Sequence, residues 1–131
     1  MRLTVTPGGP ALLIRSYAEG VIRVGEDAWS HPVLLSSRGA RAELRPQSPT
    51  DIEERDLDAV FRERPEVVII GWAGGQPYLP ASQRRWFLER NIGLEVMALG
   101  PACRTYNVLI GDGRDVVAML FPNLIPSPAH P

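Results

Sequence analysis

The sequence predicts an α/β fold of three layers, in which a small, mixed, mostly parallel sheet with helices is joined by an N-terminal antiparallel β layer. Three observations lead to this prediction. Residues 11–44 contain short β-like runs, residues 50–64 follow a helical period, and apolar runs alternate with helical segments from residue 67 onward. Strands followed by strand-helix repeats are typical of a sheet with helices packed on its faces.

The N-terminal β layer is predicted from runs that turn-forming residues separate. Turns are expected at Glu19-Gly20, at Gly25 and at Arg38-Gly39, because glycine adopts backbone angles that other residues avoid. The runs between these turns are residues 11–17, 21–24, 33–37 and 40–44. We expect them to form a meander of three or four antiparallel strands.

A helix is predicted to begin near Thr50. Prolines interrupt the β pattern before it, and Thr50 with Glu53 matches the capping box that satisfies the free amides at a helix start. Apolar residues then recur at helical spacing and form one stripe, made of Leu57, Val60 and Phe61. Pro65 is expected to end this helix.

The second half is predicted to contain parallel strands joined by helices. Residues 67–70 are continuously apolar and β-branched, as a strand covered on both faces must be. Further strands are expected at residues 94–99 and 116–121, with helices at residues 81–90 and 100–110. We therefore expect residues 67–70 and 94–97 to form adjacent parallel strands.

Length and composition fit one domain. A chain of 131 residues can bury a single core. We assign residues 1–121 to one α/β domain and the proline-rich residues 122–131 to a mobile tail. The apolar runs are far shorter than the roughly 20 residues that a membrane-spanning helix needs, so no direct membrane insertion is expected.

Charge and cysteine content narrow the choice of partners. A net charge of -1 and two local pairs of arginines provide too little positive field for nucleic acid. The single cysteine, Cys103, excludes an internal disulfide, and the N-terminus lacks the pattern of a signal peptide. We expect a cytoplasmic protein without a cofactor.

The loops at the carboxyl ends of the two parallel strands are expected to lie side by side and to form a cleft. The predicted cleft residues are Gly71, Trp72, Gly74, Gly75, Gln76, Cys103, Arg104, Thr105, Tyr106 and Asn107. Glycine amides, a helix N-terminus and Arg104 could together hold a carboxylate or a phosphate. The alternative, which we favour, is that the glycines only allow strand and helix to pack closely, because the phosphate-loop patterns are absent.

Cys103 is the one candidate nucleophile of this cleft. It stands in the first turn of the predicted helix, where the helix dipole can lower the pKa of a thiol. The histidines that could act as its base, His31 and His130, lie far away in the sequence. We favour a shielded, structural thiol, since free cysteines are among the most buried residues.

Glu95 lies inside an apolar strand, where a carboxylate must be exposed or paired. Arg104 and Arg114 are its candidate partners, and we expect a structural ion pair between Glu95 and Arg114. Tyr106 and Asn107 could bind a ligand or hold the helix to its neighbours, and structure is the favoured role. No zinc-ligand spacing and no nucleophile elbow occur, so no metal site and no catalytic residue are predicted.

The second half of the chain resembles a known family. The residues that carry the resemblance are residues 67–73, Gln76 with Tyr78-Leu79-Pro80, residues 93–97, Ala102 to Asn107, Gly113-Arg114 and residues 116–121. The sequence is similar to a bacterial family of unknown function whose relatives include a mitochondrial respiratory complex I assembly factor and a cytosolic protein associated with adipogenesis. The resemblance implies a three-layer α/β fold and no established reaction. Gly71-Trp72-Ala73 departs from the Gly-Thr-Gly of that family, which weakens a shared small-ligand role for the loop.

Three functions follow from these observations. The first is a non-catalytic accessory or assembly protein that binds other proteins through the edge formed by residues 72–78 and the helix start at Pro101, with Trp72 as an exposed anchor. The second is a small-molecule domain, binding an anion or hydrolysing a substrate, in which Arg104 holds the anion and Cys103 or Glu95 does the chemistry. The third is a homo-oligomer with Trp72 and Tyr78 in the self-interface.

Overall fold

The computed structural model describes residues 3–4 and 12–123, and their strands form two sheets. The larger sheet contains, in spatial order, β1 (Leu3–Thr4), β6 (Gly39–Arg41), β5 (Val33–Ser36), β9 (Val116–Phe121), β7 (Val67–Trp72) and β8 (Gly93–Ala98). The smaller sheet contains β2 (Ile14–Ser16), β3 (Ile22–Val24) and β4 (Asp27–Trp29). The predicted proline-rich tail lies outside the described residues from position 124 onward.

The larger sheet is mixed. β7 runs parallel to both β8 and β9, whereas β5 runs antiparallel to β9 and to β6. Val68 stands opposite Leu94 and Ile70 opposite Val96, so the predicted pair of adjacent parallel strands is confirmed. Its outer strand, β8, pairs on one side only among the described residues.

The predicted N-terminal meander is divided between the two sheets. β2, β3 and β4 form the separate antiparallel layer, while β5 and β6 join the larger sheet. All four residues of β5 are buried. A strand covered on both faces needs a layer above and below it, which only a place inside the larger sheet provides.

The helices are α1 (Asp58–Glu63), α2 (Ala81–Leu88) and α3 (Leu99–Gly111). The helix predicted from Thr50 begins later, because 3₁₀ turns occupy Pro49–Asp51 and Glu54–Leu57. The capping residues are Glu53 and Asp56, and not Thr50 and Glu53 as predicted. The Glu53 amide donates to Asp56 Oδ2 at 2.8 Å. After α2 the chain turns at Asn91 with φ of 57°, as expected for a left-handed residue that ends a helix.

The larger sheet separates two apolar cores. Ile69 faces the core shared with α3 and the small sheet, whereas Val68 and Ile70 face the core shared with α1 and α2. This explains why residues 67–70 of β7 are apolar at every position. The small sheet with α3, the larger sheet, and α1 with α2 are three layers, so the predicted fold class is confirmed.

Candidate binding surface at the carboxyl edge of the sheet

Gly71, the residue before the end of β7, lies directly beneath α3. A methyl group added at Gly71 would lie 2.4 Å from Ala102 Cβ and 3.1 Å from Leu120 Cδ2. Side chains never approach so closely, and Ala102 Cβ is fixed to the helix backbone. This glycine therefore serves the close approach of strand and helix, which is the packing role favoured from the sequence.

Trp72 folds back over the loop that follows β7. A methyl group at Gly74 would meet the indole at 2.5 Å, and the indole also packs against the core under α2. The Trp72 Nε1 proton donor is buried without a partner among the described residues. Trp72 is thus a partly buried packing residue, and the expectation that it is exposed is wrong. Gly75, with φ of 112°, makes the turn that leads the chain to the exposed Gln76.

Cys103 lies inside the core formed by α3 and the two sheets. Its side chain is 1% exposed, and burial raises the pKa of the thiol to about 12, although the neighbouring Arg104 charge acts in the opposite direction. His31 lies exposed just before β5, and His130 lies outside the described residues. A thiol that is buried and protonated at neutral pH is a poor nucleophile.

We expect Cys103 to resist labelling by an uncharged thiol reagent in the folded protein, even at pH 9, where a free thiol would be largely ionised. Its raised pKa also means that the stabilisation from burying the neutral thiol is complete below about pH 9 and is lost as the pH rises toward 12. The accessibility of the thiol is measured by comparing the labelling rate of the native protein with the rate in urea. Native labelling as fast as in urea would show that Cys103 is accessible.

The other α3 residues of the predicted cleft fasten the helix to its neighbours. Arg104 Nη1 donates to Tyr17 Oη at 2.8 Å, and Thr105 Oγ1 lies 3.6 Å from Met97 Sδ. The fully buried Tyr106 donates its hydroxyl to the Leu12 carbonyl at 2.8 Å, and burial raises its pKa. The surface at this end of α3 is therefore largely used to hold residues 12–17.

Asn107 makes the most specific of these connections. Its Oδ1 accepts from the Ile14 amide at 2.8 Å, and its Nδ2 donates to the Ile14 carbonyl at 2.9 Å. The Asn107 amide pairs with both the N–H and the C=O of Ile14, as the backbone of a neighbouring strand would. Asn107 thus extends the small sheet from the side of α3.

The ion pair expected between Glu95 and Arg114 is not formed. Arg114 Nε instead donates to Glu66 Oε1 at 3.1 Å, and Glu95 lies exposed on β8. The Asp115 amide and Arg114 together lower the pKa of Glu66. Glu95 is instead exposed, the other possibility that the sequence left open, because an outer strand lets a charged side chain reach water.

Two large apolar side chains are exposed: Tyr78, which the sequence predicts on the binding edge, and Leu88 beside β8, which the sequence reasoning missed. Tyr78 and Leu88 are each 76% exposed. Leu88 borders a groove of about 490 Å³ between α2 and β8, lined by Ala81, Arg84, Arg85, Phe87, Leu88, Ile92, Gly93 and Leu94. Phe87 is buried, and its helical neighbour must point about 100° away from it, so the Phe87-Leu88 pair was a signal for an exposed leucine.

Two further results concern residues 3–4 and 12–123. No three His, Cys, Asp or Glu side chains in this part of the chain are grouped so that they could hold a metal ion. None of its helices combines the length and the apolar character that crossing a bilayer requires.

The model of a family described as "protein of unknown function (DUF498/DUF598)" matches residues 14–121. A Francisella tularensis protein named "13 kDa major membrane protein" is 27% identical over 116 residues, covering 84% of this chain and 90% of the relative. A Bordetella parapertussis crystal structure matches with a TM-score of 0.80 and 32% identity over 89% of this chain and 100% of that one. A Bordetella pertussis solution structure, described as a Mth938-like domain, matches with a TM-score of 0.75 and 27% identity over 93% of this chain and 92% of that one.

Proposed function

The chain belongs to the DUF498/DUF598 family of proteins of unknown function, and we propose that it acts as a non-catalytic accessory protein that binds other proteins. The observation that carries this proposal is the exposed Leu88 beside the groove between α2 and β8, together with the exposed Tyr78 in the loop before α2. Large apolar side chains exposed beside a groove are typical of protein-binding surfaces.

The free side of β8 strengthens the proposal. Its six residues, Gly93–Ala98, pair only with β7 among the described residues. An outer strand can receive an extended segment of another protein by backbone hydrogen bonds, and a neighbouring groove can then select its side chains. Leu88 and the groove lie directly beside this strand. A partner that adds a strand to β8 and places an apolar side chain against Leu88 would use both features.

The alternative of small-molecule binding or hydrolysis in the predicted cleft has less support. Arg104 donates to Tyr17, Asn107 is committed to Ile14, and Cys103 is buried. The groups that would hold an anion and attack a substrate are therefore engaged elsewhere or shielded. Protein binding needs none of them. It agrees with the resemblance to a family whose relatives include an assembly factor of respiratory complex I, so assembly of a larger complex is part of this proposal.

The cytoplasmic location expected from the sequence is also part of the proposal. The Francisella relative is named a membrane protein, so protein complexes at a membrane surface are the first partners to search for. The groove carries Arg84 and Arg85 beside its apolar residues. Acidic, apolar segments of such complexes would fit it best.

We expect Tyr78→Ala and Leu88→Gln each to weaken the complex with a partner by about 1 to 3 kcal/mol, the usual range for an interface anchor. Both side chains are mostly exposed, so the melting temperature should stay unchanged. Cross-linked affinity purification with quantitative mass spectrometry identifies the partner, and titration with the purified partner measures the loss.

Val108→Gln is the matched control, because Val108 is 61% exposed on α3, on the other face of the larger sheet. Equal losses in all three variants, or no loss at Tyr78 and Leu88, would contradict the proposed surface. If Leu88→Gln instead abolishes binding to vesicles of anionic phospholipid while every protein partner is retained, the surface binds membranes and protein binding is wrong. Loss of self-association alone would make the surface a homo-oligomer interface.

A further inference from the structure

Four arginines line a second cavity, at the side of the larger sheet that is formed by β5 and β6 and away from β8. It has a volume of about 330 Å³ and lies between α1 and the antiparallel end of the sheet, with Arg41, Arg45, Arg55 and Arg62 in its lining. We propose that this cavity binds a small organic anion, with a carboxylate or phosphate group on an apolar body. This site is independent of the protein-binding surface.

The cavity lies beside a short helix. Six residues give about 9 Å of helix in α1, and the cavity lies between this helix and the partly exposed Arg41 at the end of β6. The floor is apolar, since Leu34, Val60 and Met119 line it and each belongs to the core on this side of the sheet. Its volume falls near the lower end of small-molecule sites, which span roughly 300 to 1,000 Å³.

Arg45 is fixed in place by neighbouring acidic residues. Its Nε and Nη2 donate to the two Asp56 carboxylate oxygens at 2.9 and 2.7 Å, and Nη2 also donates to the Asp51 carbonyl. The hydrogen bond from Arg45 lowers the pKa of Asp56, so this pair stays charged at neutral pH. Arg45 and Asp56 therefore form a rigid wall with one carboxylate already neutralised.

The remaining arginines are the groups available to an anion. The lining holds four guanidinium groups and two carboxylates, Asp56 and Asp58. Two further carboxylates beside it, Asp51 and Glu53, pair with Arg45 and Arg55. Arg55 Nε donates to Glu53 at 2.6 Å, and its Nη groups have no hydrogen-bond partner in the described part of the chain. Within residues 12–123, neither Arg41 nor Arg62 has a carboxylate partner.

This arrangement matches an amphipathic anion. The planar guanidinium group presents paired donors that fit a carboxylate or a phosphate. Arg41 comes from β6 and Arg62 from α1, so the two unpaired cations approach the cavity from different elements. An anion between them would relieve their mutual repulsion, while an apolar body would cover the floor at Leu34 and Met119.

Phenyl phosphate is the probe for this site, in a titration of the whole chain followed by backbone amide NMR signals. We expect shifts confined to residues 41–46, 55–62 and the neighbouring part of β9. Inorganic phosphate and benzyl alcohol, which carry only the anion or only the apolar body, should bind at least tenfold more weakly. Arg41→Gln and Arg62→Gln should each weaken phenyl phosphate binding by about tenfold, the scale of one charged hydrogen bond.

Arg23→Gln is the matched control, since Arg23 is an exposed arginine of β3 in the small sheet. It should bind phenyl phosphate like the unchanged protein, and all three variants should keep the original melting temperature. Shifts scattered over the surface, or an equal loss with Arg23→Gln, would reduce the effect to net charge and overturn the site. Inorganic phosphate binding as tightly as phenyl phosphate would overturn the ligand class.

Discussion

Replacing Gly71 by alanine is expected to lower the free energy of unfolding by about 3 kcal/mol, at the upper end of the cost of overpacking a core. The added methyl group would overlap Ala102 Cβ at 2.4 Å and press on Leu120. Because Ala102 Cβ is bonded directly to the backbone of α3, it cannot turn aside, and the helix itself must move away from β7. Urea denaturation followed by circular dichroism measures the change.

Gly111→Ala is the control for this substitution. Gly111 ends α3, no atom lies within 4 Å of an added methyl group, and its φ is not positive. Alanine there should leave stability unchanged or raise it by up to about 1 kcal/mol. A Gly71→Ala protein as stable as Gly111→Ala would show that β7 and α3 are less closely packed than described.

The second large effect is expected at Asn107. Asn107→Ala removes both hydrogen bonds to Ile14, whose side chain is buried. The backbone N–H and C=O of Ile14 then lose these partners. Each unsatisfied group costs about 1 to 3 kcal/mol, so we expect a loss of roughly 3 kcal/mol in unfolding free energy. Faster hydrogen exchange should appear first at the Ile14 amide.

Thr105→Ala provides the comparison, because Thr105 lies on the same helix and contacts only the Met97 sulfur through its hydroxyl. Its loss should be below about 1 kcal/mol, since a bond to sulfur is weak. If Asn107→Ala behaves like Thr105→Ala, and the Ile14 amide exchanges as before, then Asn107 does not anchor the small sheet.

The order of elements in the second half could be predicted because its signals are local. Residues 67–70 are apolar at every position, and the structure shows that Ile69 and Val68 face different cores. Pro65, Asn91 and Gly113 each mark the end of a helix or a turn. Similar proteins of known structure share this fold.

The division of the N-terminal strands could not be predicted in the same way. Val33–Ser36 joins β9, a strand more than eighty positions later, and no local pattern indicates such a partner. Similarly, Thr50 and Glu53 fit a capping box, but Pro49 opens a 3₁₀ turn there and Asp56 provides the cap. The pair that is used, Glu53 with Asp56, lacks the Ser or Thr of the sequence pattern, so the local rule does not indicate it.

The candidate site shows the same limit. From the sequence, Trp72 was expected to be an exposed anchor, yet it packs over Gly74, and Tyr78 is the exposed aromatic of this loop. Exposure depends on how the loop returns to the sheet, which residue types alone do not encode. Within residues 12–123 Glu95 likewise has no ion-pair partner, since its side chain is exposed on the outer strand β8, a property of the assembled sheet.

The connection between Asn107 and Ile14 also has a consequence for how the chain folds. The three parallel strands and α3 come from residues 67–121, a contiguous segment with short crossovers. The small sheet is tied to this segment by hydrogen bonds between residues 93 positions apart. Closing so long a loop costs conformational entropy before the contact forms. The parallel segment can therefore act as the folding nucleus, with docking of the small sheet as a later, separately reversible step.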